Sequence, residues 1–261
     1  MKKFFHSVWV IAYREFLRFL QDRSRVISSF TMPIIFLVIF GAGFGELIGQ
    51  MMPGVDYIQF MYPGILSMTV LMGSMMSGVS IVWDREFGFL KEVLVSPLSR
   101  SGILLGKATG AAGIAVMQGI VMLVLAPFVG VSLSWGIVLK LVPLVIILSI
   151  SMSGLGLLIG ARMRSQQGFQ LIMQLVMFPM MFLSGIFFPL AGTARWLEVL
   201  SKFNPVTYGI DAIRQVFLGS EAAGVTIFGH TMGIMDSALM VLVVGIVLLL
   251  GAVRSFNRQE Q

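Results

Sequence analysis

The residues of this sequence that could do chemistry are few and widely separated. A phosphate-binding loop needs four residues between two glycines and a Ser or Thr directly after its lysine. The nearest match, Gly102 to Lys107, has three residues between its glycines and Ala108 after the lysine. His6 and His230 are predicted on opposite sides of a membrane, and the chain contains no cysteine. We therefore expect neither ATP binding nor a nucleophilic or metal-dependent active site, and we do not expect an enzyme.

The composition indicates an all-α integral membrane protein. Hydrophobic residues make up 57% of the chain and charged residues 11%, whereas soluble domains carry roughly 25% charged residues. Six apolar segments approach the about 20 residues that a spanning helix needs, at 27–48, 57–82, 101–128, 137–161, 169–188 and 235–253. An open sheet would leave backbone groups unpaired in lipid, so all six are predicted to be helical. One membrane domain, 1–261, comprises an N-terminal stretch (1–26), the spans (27–253) and a tail (254–261).

The distribution of basic residues predicts the orientation. An even number of spans places both termini on one side, and that side receives 14 of the 18 lysine and arginine residues. Such a bias marks the cytoplasmic side. We therefore expect a multi-pass protein of the inner (cytoplasmic) cell membrane with both termini cytoplasmic. The net charge of +6 is spread between the apolar runs, so a nucleic-acid partner is not expected.

The stretch before the first span has the pattern of an amphipathic helix. Val8, Ile11, Ala12, Phe16 and Phe19 fall near helical spacing, with charged residues between them. This pattern predicts a helix lying in the cytoplasmic membrane interface. A solvated basic tail is the alternative.

A second amphipathic pattern lies between the second and third spans. Trp83, Phe87, Leu90 and Leu94 recur at steps of four, three and four residues, and Pro97 ends the pattern. We expect a short cytoplasmic helix that could dock into a groove on a partner, with an ordinary interfacial loop helix as the alternative.

The segment after the fifth span is also unusual. Pro189 and Pro205 interrupt two apolar stretches that are too short to span. The pattern predicts two short helices that dip into the outer face of the bilayer, which is tolerated where the backbone is buried in protein or lines a cavity. A simple external loop is the alternative. Oppositely charged residues at helical spacing predict ion pairs, namely Glu198 with Lys202 and Asp211 with Arg214.

Glycines and ionisable residues within the spans give two further expectations. Gly154, Gly156 and Gly160 are interpreted as sites of close helix packing, as are the glycines that recur every four residues from Gly41. Glu46 is the main ionisable residue that we assign to a span. An ion-coupled secondary transporter usually places such groups at mid-membrane, so their scarcity disfavours that alternative.

The cytoplasmic and outer segments together resemble the permease subunits of type-2 ABC exporters, the family of daunorubicin-type drug-efflux and capsule or lipopolysaccharide export permeases. Segment 85–97 resembles the coupling helix of that family, and segments 182–189 and 204–214 resemble its C-terminal signature. The resemblance covers nearly the whole chain. It departs from the family at Thr193 to Trp196, where many members carry a proline before the tryptophan.

The resemblance implies a partner-driven exporter that works by alternating access. It implies two cytoplasmic ABC ATPase subunits, which bind the ATP and magnesium, and a second permease copy or paralogue, so no cofactor is expected on this chain. The substrate is expected to be a lipophilic drug, a lipid or a polysaccharide-type molecule, and membrane lipids surround the chain. The residues expected to couple to the ATPase are Arg85, Glu86, Phe87, Gly88, Leu90, Glu92, Leu94 and Pro97. The outer re-entrant motif comprises Gly185, Pro189, Trp196, Asn204, Pro205, Tyr208, Asp211 and Arg214.

Overall fold

The structure, a computed structural model, describes residues 2–51, 57–88, 99–131, 133–188, 190, 193–219, 225–227 and 230–259. Within those ranges the backbone is almost entirely helical. The helices are α1 (Lys2–Gln21), α2 (Arg23–Met51), α3 (Tyr57–Met75), α4 (Ser77–Glu86), α5 (Arg100–Leu125), α6 (Trp135–Arg162), α7 (Gln166–Phe182), α8 (Arg195–Phe203), α9 (Pro205–Leu218) and α10 (Ile234–Gln259). A 3-10 helix (Ala126–Val129) extends α5. Two short antiparallel strands, β1 (Thr226–Ile227) and β2 (His230–Thr231), pair Thr226 with Thr231.

Five helical segments in the described part of the chain are long and apolar enough to cross a membrane. They are Arg23–Gly41, Tyr57–Glu86, Arg100–Val129, Trp135–Arg162 and Ile234–Arg258. These segments correspond to the predicted first, second, third, fourth and sixth spans. The prediction of an all-α membrane protein is therefore confirmed.

The predicted fifth span, 169–188, is only partly helical. Helix α7 has 17 residues, so at 1.5 Å per residue it is about 25 Å long, less than the about 30 Å hydrocarbon core. After Phe182 the chain continues as a buried turn in which Gly185 has a φ of 77°. A sixth crossing would need this non-helical turn as well, so it stays a prediction.

Side-chain caps fix where several helices begin. The hydroxyls of Ser99, Ser134 and Ser165 accept hydrogen bonds from backbone N–H groups three residues later, at the starts of α5, α6 and α7. The Asn204 side chain caps α9 by accepting from the N–H two residues later, and Pro205 occupies the first helical position, where a missing N–H costs nothing. These caps satisfy amide groups that would otherwise be unpaired near lipid.

Helix α3 lies at the centre of the core. Every residue from Phe60 to Leu71 is buried, and the helix contacts α2, α5, α6 and α9. Below it, α4 crosses α6 so closely that a Cβ on Gly78 would collide with the backbone carbonyl of Gly156, and one on Gly160 would lie 2.5 Å from the carbonyl oxygen of Gly78. The predicted packing role of Gly156 and Gly160 is thus confirmed.

Helix α1 packs lengthwise against α5. A Cβ added at Gly106 would lie 2.6 Å from the Ile11 Cβ, and one at Gly110 would lie 2.9 Å from the Glu15 Cβ. The apolar face that includes Ile11 and Phe19, interpreted from the sequence as a membrane-contact face, is therefore buried against protein. The opposite face exposes three aromatic side chains, Phe5, Trp9 and Tyr13. Aromatic side chains of this kind suit the lipid headgroup region.

Candidate functional site

Four charged side chains meet where α1, α4 and α5 come together. Arg14 and Glu15 come from α1, Asp84 from α4 and Lys107 from α5. We call these four residues the charge cluster. Lys107 is 2% exposed, Asp84 5% and Glu15 8%, so the cluster is largely shielded from solvent. It stands beside residues 85–88, where the predicted coupling segment begins.

Lys107 is the centre of the charge cluster. Its Nζ donates to Asp84 Oδ2 at 2.7 Å, to Glu15 Oε1 at 3.2 Å and to the hydroxyl of Ser80 at 2.6 Å. The guanidinium of Arg14 donates to both carboxylate oxygens of Asp84, at 3.1 and 3.2 Å. All three donors of the ammonium group are therefore used, which a buried lysine requires.

The charge cluster is electrically balanced. Two cations and two carboxylates alternate in space, and each buried carboxylate has a cation within 3.2 Å. A buried ion pair is weak evidence for net stability, but removing one partner leaves an uncompensated charge that costs several kcal/mol. The cluster therefore fixes the positions of α1, α4 and α5 relative to one another.

Two of the predicted coupling residues bind the connection between α6 and α7. Arg85 donates to the carbonyl oxygens of Ala161 at 3.0 Å and Met163 at 2.6 Å. The Glu86 carboxylate accepts from the backbone N–H of Gln166 at 3.1 Å, at the start of α7. The end of α4 is thus attached to the connection between α6 and α7 as well as to the charge cluster.

The other predicted coupling residues divide into two groups. Phe87 is 70% exposed, and Gly88 has a φ of 80° with open space around its Cβ position. The glycine is therefore required by the turn, because other residues rarely adopt this φ. The turn ends the helix that contains Trp83 at Glu86, so the predicted single helix with Trp83, Phe87, Leu90 and Leu94 on one face is interrupted at Phe87 and Gly88. The remaining four, Leu90, Glu92, Leu94 and Pro97, lie outside the described residues.

The outer motif fastens α7, α8 and α9 together. Asn204 accepts from the N–H of Val206 at 3.1 Å and donates to the carbonyl oxygen of Met180 at 2.7 Å. The Tyr208 hydroxyl donates to the carbonyl oxygen of Lys202, near the end of α8, at 2.5 Å. Backbone carbonyls near two helix ends thereby gain hydrogen-bond donors that lipid could not supply.

Arg214 connects the same region to the core. Its guanidinium donates to the carbonyl oxygen of Gly185 at 2.6 Å and lies 4.1 Å from the centre of the Phe60 ring. The predicted ion pair between Asp211 and Arg214 does not form. Instead, the Asp211 carboxylate accepts from Gln215 at 2.8 Å and from Ser237 of α10 at 3.0 Å. Burial raises the pKa of Asp211 above its ordinary value, although these hydrogen bonds oppose the shift.

The outermost part of the motif is more exposed. Lys202 donates to Glu198 at 2.7 Å along α8, which confirms that predicted pair, and this hydrogen bond lowers the pKa of Glu198. Trp196 is 63% exposed. Pro189 lies outside the described residues. The described motif residues other than Trp196 thus hold the outer helices in place, while Trp196 faces outward.

The charge cluster leaves little trace in the sequence. The basic-residue bias includes Lys107 among the lysine and arginine residues of one side, and the phosphate-loop pattern fails at its stretch. That stretch is helical, and its glycines contact α1. The signal that could have revealed it is the spacing of Gly102, Gly106 and Gly110, every four residues around a lysine in an apolar run.

Comparison with known proteins identifies the family to which the sequence is similar. The sequence profile of the ABC-2 type transporter family matches residues 6–218. The inner membrane transport permease YadH of Escherichia coli (strain K12) is 30% identical over 228 residues, 85% of this chain and 86% of YadH. The putative transport permease ycf38 of Cyanophora paradoxa is 29% identical over 221 residues, which is 84% of this chain and 76% of ycf38. The probable multidrug ABC transporter permease YbhR of the same E. coli strain is 30% identical over 173 residues, which is 64% of this chain and 45% of YbhR.

Proposed function

Because this chain belongs to the ABC-2 type transporter family, we propose that it is the membrane-spanning permease of an ATP-driven exporter. The observation that carries the proposal is the family match over residues 6–218, which includes α1, the charge cluster and the outer motif. ATP and magnesium would bind to a separate cytoplasmic ATPase. Two permease chains, either two copies or a pair of paralogues, would act with two ATPase subunits.

The arrangement of α1, α4 and α5 supports mechanical coupling. Asp84 and Ser99 lie on either side of the predicted coupling segment, and both are attached to α1. Asp84 binds Arg14, and the backbone N–H of Ser99 donates to the Ser7 hydroxyl at 3.2 Å. A force applied by the ATPase between these two points would therefore move three helices as one unit, because packed elements transmit displacement rather than absorb it.

The buried carboxylates do not favour an ion-coupled transporter. A proton carrier needs a carboxylate that can change its protonation state without losing its partners. Asp84 and Glu15 are each held by Lys107, and Asp84 also by Arg14. Both carboxylates are therefore already occupied as partners of cations fixed on neighbouring helices. We therefore assign the charge cluster a mechanical role.

The substrate we propose is a lipophilic drug, a lipid or a polysaccharide-type molecule. The relative named as a probable multidrug permease supports the first of these. The spans are rich in methionine and phenylalanine, with 20 and 21 residues in the chain, and such side chains adapt to apolar ligands.

The contact with the ATPase is testable at Phe87. Replacing this exposed aromatic residue with aspartate should release the ATPase from the purified complex, because truncating a central anchor costs about 2 kcal/mol or more of binding. Membrane insertion should be unchanged, since Phe87 stands after the last turn of α4 and is 70% exposed. Co-purification of the partner ATPase, measured from solubilised membranes, checks the result.

The matched control is Phe203→Asp, which changes an aromatic residue that is 80% exposed at the end of α8. This variant should retain the ATPase. If Phe87→Asp retains it as fully as the control does and still shows normal substrate-stimulated ATP hydrolysis, the proposed contact is wrong.

The proposed orientation, with cytoplasmic termini, is testable by labelling because the chain contains no cysteine. Arg164 and Arg195 are both exposed arginines, before α7 and at the start of α8 respectively. In intact cells, a membrane-impermeant maleimide should label Arg195→Cys but not Arg164→Cys. Both should react after permeabilisation. Labelling of Arg164→Cys but not Arg195→Cys in intact cells would show the opposite orientation and contradict the proposal.

A further inference from the structure

A cavity of about 220 Å³ lies between α1, α2, α3 and α5. It is separate from both the charge cluster and the outer motif. One wall is polar and is formed by Arg25, Ser28, Ser29, Thr69 and Gln118. The other wall is apolar and includes Phe19, Met32, Met72, Met76 and Ile114. A cavity with one polar and one apolar wall matches an amphiphilic ligand, which has a polar end and an apolar end.

Gln118 supplies a buried hydrogen-bonding group without a partner. The residue is 1% exposed, and its Oε1 has no hydrogen-bond donor in the structure. It lies over Gly73, where an added Cβ would be 2.6 Å from Oε1, so the glycine makes room for the amide. A buried acceptor left unpaired costs about 1–3 kcal/mol. A ligand that donates to this oxygen would recover that cost.

Arg25 supplies a cation to the same wall. Its guanidinium carbon is 5.6 Å from the centre of the Phe19 ring. No carboxylate among the described residues lies within 4.0 Å of it, in contrast to Arg14 of the charge cluster. Glu15 and Asp22 act on it only from beyond that distance, and its planar fork of donors suits phosphate or carboxylate oxygens.

The size of the cavity limits what it can hold. At about 30 Å³ for each water in the liquid, its volume corresponds to roughly seven waters, whereas pockets for drug-sized ligands are about 300–1,000 Å³. It is therefore large enough for a polar headgroup but not for a complete amphiphile. Met32 is 53% exposed on α2, so an attached hydrocarbon chain can leave the cavity along this adaptable side chain toward lipid.

We propose that this cavity binds the polar end of an anionic amphiphile taken from the adjoining membrane leaflet. The anionic group binds Arg25, a neighbouring hydroxyl donates to Gln118, and the apolar part follows the methionine wall. In the proposed orientation this leaflet is the cytoplasmic one. The view that the bound amphiphile is also the transported substrate rests on the proposed function, whereas its binding does not.

The test uses the purified full-length chain in a neutral detergent. Native mass spectrometry would compare phosphatidylglycerol, which carries a phosphate and headgroup hydroxyls, with phosphatidylcholine, whose headgroup lacks hydroxyls and carries a cation. One phosphatidylglycerol should bind about tenfold more tightly than phosphatidylcholine. Arg25→Gln and Gln118→Leu should each reduce phosphatidylglycerol affinity about tenfold or more, which is typical of losing a hydrogen bond to a charged or buried group.

The control is Arg23→Gln, which removes an exposed arginine in the same helix turn that does not line the cavity. It should keep the affinity of the unmodified chain. Equal binding of the two lipids, or an equal loss in Arg23→Gln and Arg25→Gln, would overturn the proposal. Displacement of the lipid by millimolar glycerol phosphate would show that the ligand is a soluble anion and would also overturn it.

Two measurements keep this outcome separate from other failures. A thermal unfolding scan of each variant shows whether it is folded, and Gly73→Ala offers a second, milder perturbation that pushes on the Gln118 amide. Like Gln118→Leu, it should weaken phosphatidylglycerol binding.

Co-purification of the ATPase tests the exporter assignment independently. An unchanged lipid preference in a folded Arg25→Gln variant that still binds the ATPase would refute the cavity site and leave the exporter intact.

Discussion

Replacing Lys107 with methionine is expected to lower the free energy of unfolding by about 3–5 kcal/mol, the range measured when one partner of a buried ion pair is removed. Methionine has a similar volume, so the effect would come from charge. Asp84 and Glu15, which are 5% and 8% exposed, would be left with Arg14 as their one cation in the described structure. Thermal and denaturant unfolding in detergent, together with the yield of monodisperse protein, would measure the loss.

Two further variants separate charge from other causes. Lys140→Met removes an exposed lysine from α6 and should change stability by less than about 0.5 kcal/mol. Adding Asp84→Asn to Lys107→Met should recover part of the loss, because one uncompensated carboxylate disappears while its hydrogen-bonding capacity is kept. If Lys107→Met were as stable as Lys140→Met, the charge cluster would not hold the three helices together.

Replacing Gly156 with valine should prevent the normal packing of α6 against the end of α3, where α4 follows. A Cβ at position 156 would collide with the backbone carbonyl of Met75, which cannot move without displacing the central helix. Overpacking of a core typically costs about 1–3 kcal/mol. We expect more than about 3 kcal/mol here because two β-branched methyl groups would press on main chain rather than on a flexible side chain.

The control is Gly43→Val in α2, where no atom of the described residues, apart from the local backbone of α2 and the two chain neighbours, lies within 4 Å of the added Cβ. Both variants replace a helical glycine with the same residue, so differences in helix propensity cancel. Gly43→Val should express and unfold like the unmodified chain, and Gly156→Ala should fall between the two. Equal stability of Gly156→Val and Gly43→Val would contradict the close contact between α6 and the end of α3.

The spans were predictable because lipid leaves the backbone few choices. A long apolar run must be helical, and five of the six predicted runs are helices long and apolar enough to cross. The end of the fifth run was not predictable from hydropathy. There, the turn after α7 stays apolar although the helix has ended. Gly185 has a positive φ, and its carbonyl oxygen accepts from Arg214 instead of from a helix N–H. Hydropathy measures transfer to lipid and does not distinguish a buried turn from a buried helix.

The contacts of α1 were not predictable for a related reason. Helical periodicity identified Ile11 and Phe19 as one apolar face, but protein and lipid both accept such a face. Only the glycine row on α5 decides between them, and it lies about 90 residues further along the chain. The same separation explains why Glu15 and Lys107 were not recognised as partners. A pairing between distant segments leaves no local pattern in either one.

The counter-charges of Lys107 are synthesised before it. Glu15 precedes it by 92 residues and Asp84 by 23, so both carboxylates have left the ribosome when the lysine emerges. A lysine alone at the centre of a span opposes insertion by about 2.5–3.5 kcal/mol and by less near its end, whereas one that meets two carboxylates already in place is neutralised as it inserts. We therefore expect α1, which precedes α5 in the chain, to act as a template for the insertion of α5. Deleting it should impair biogenesis before it impairs transport.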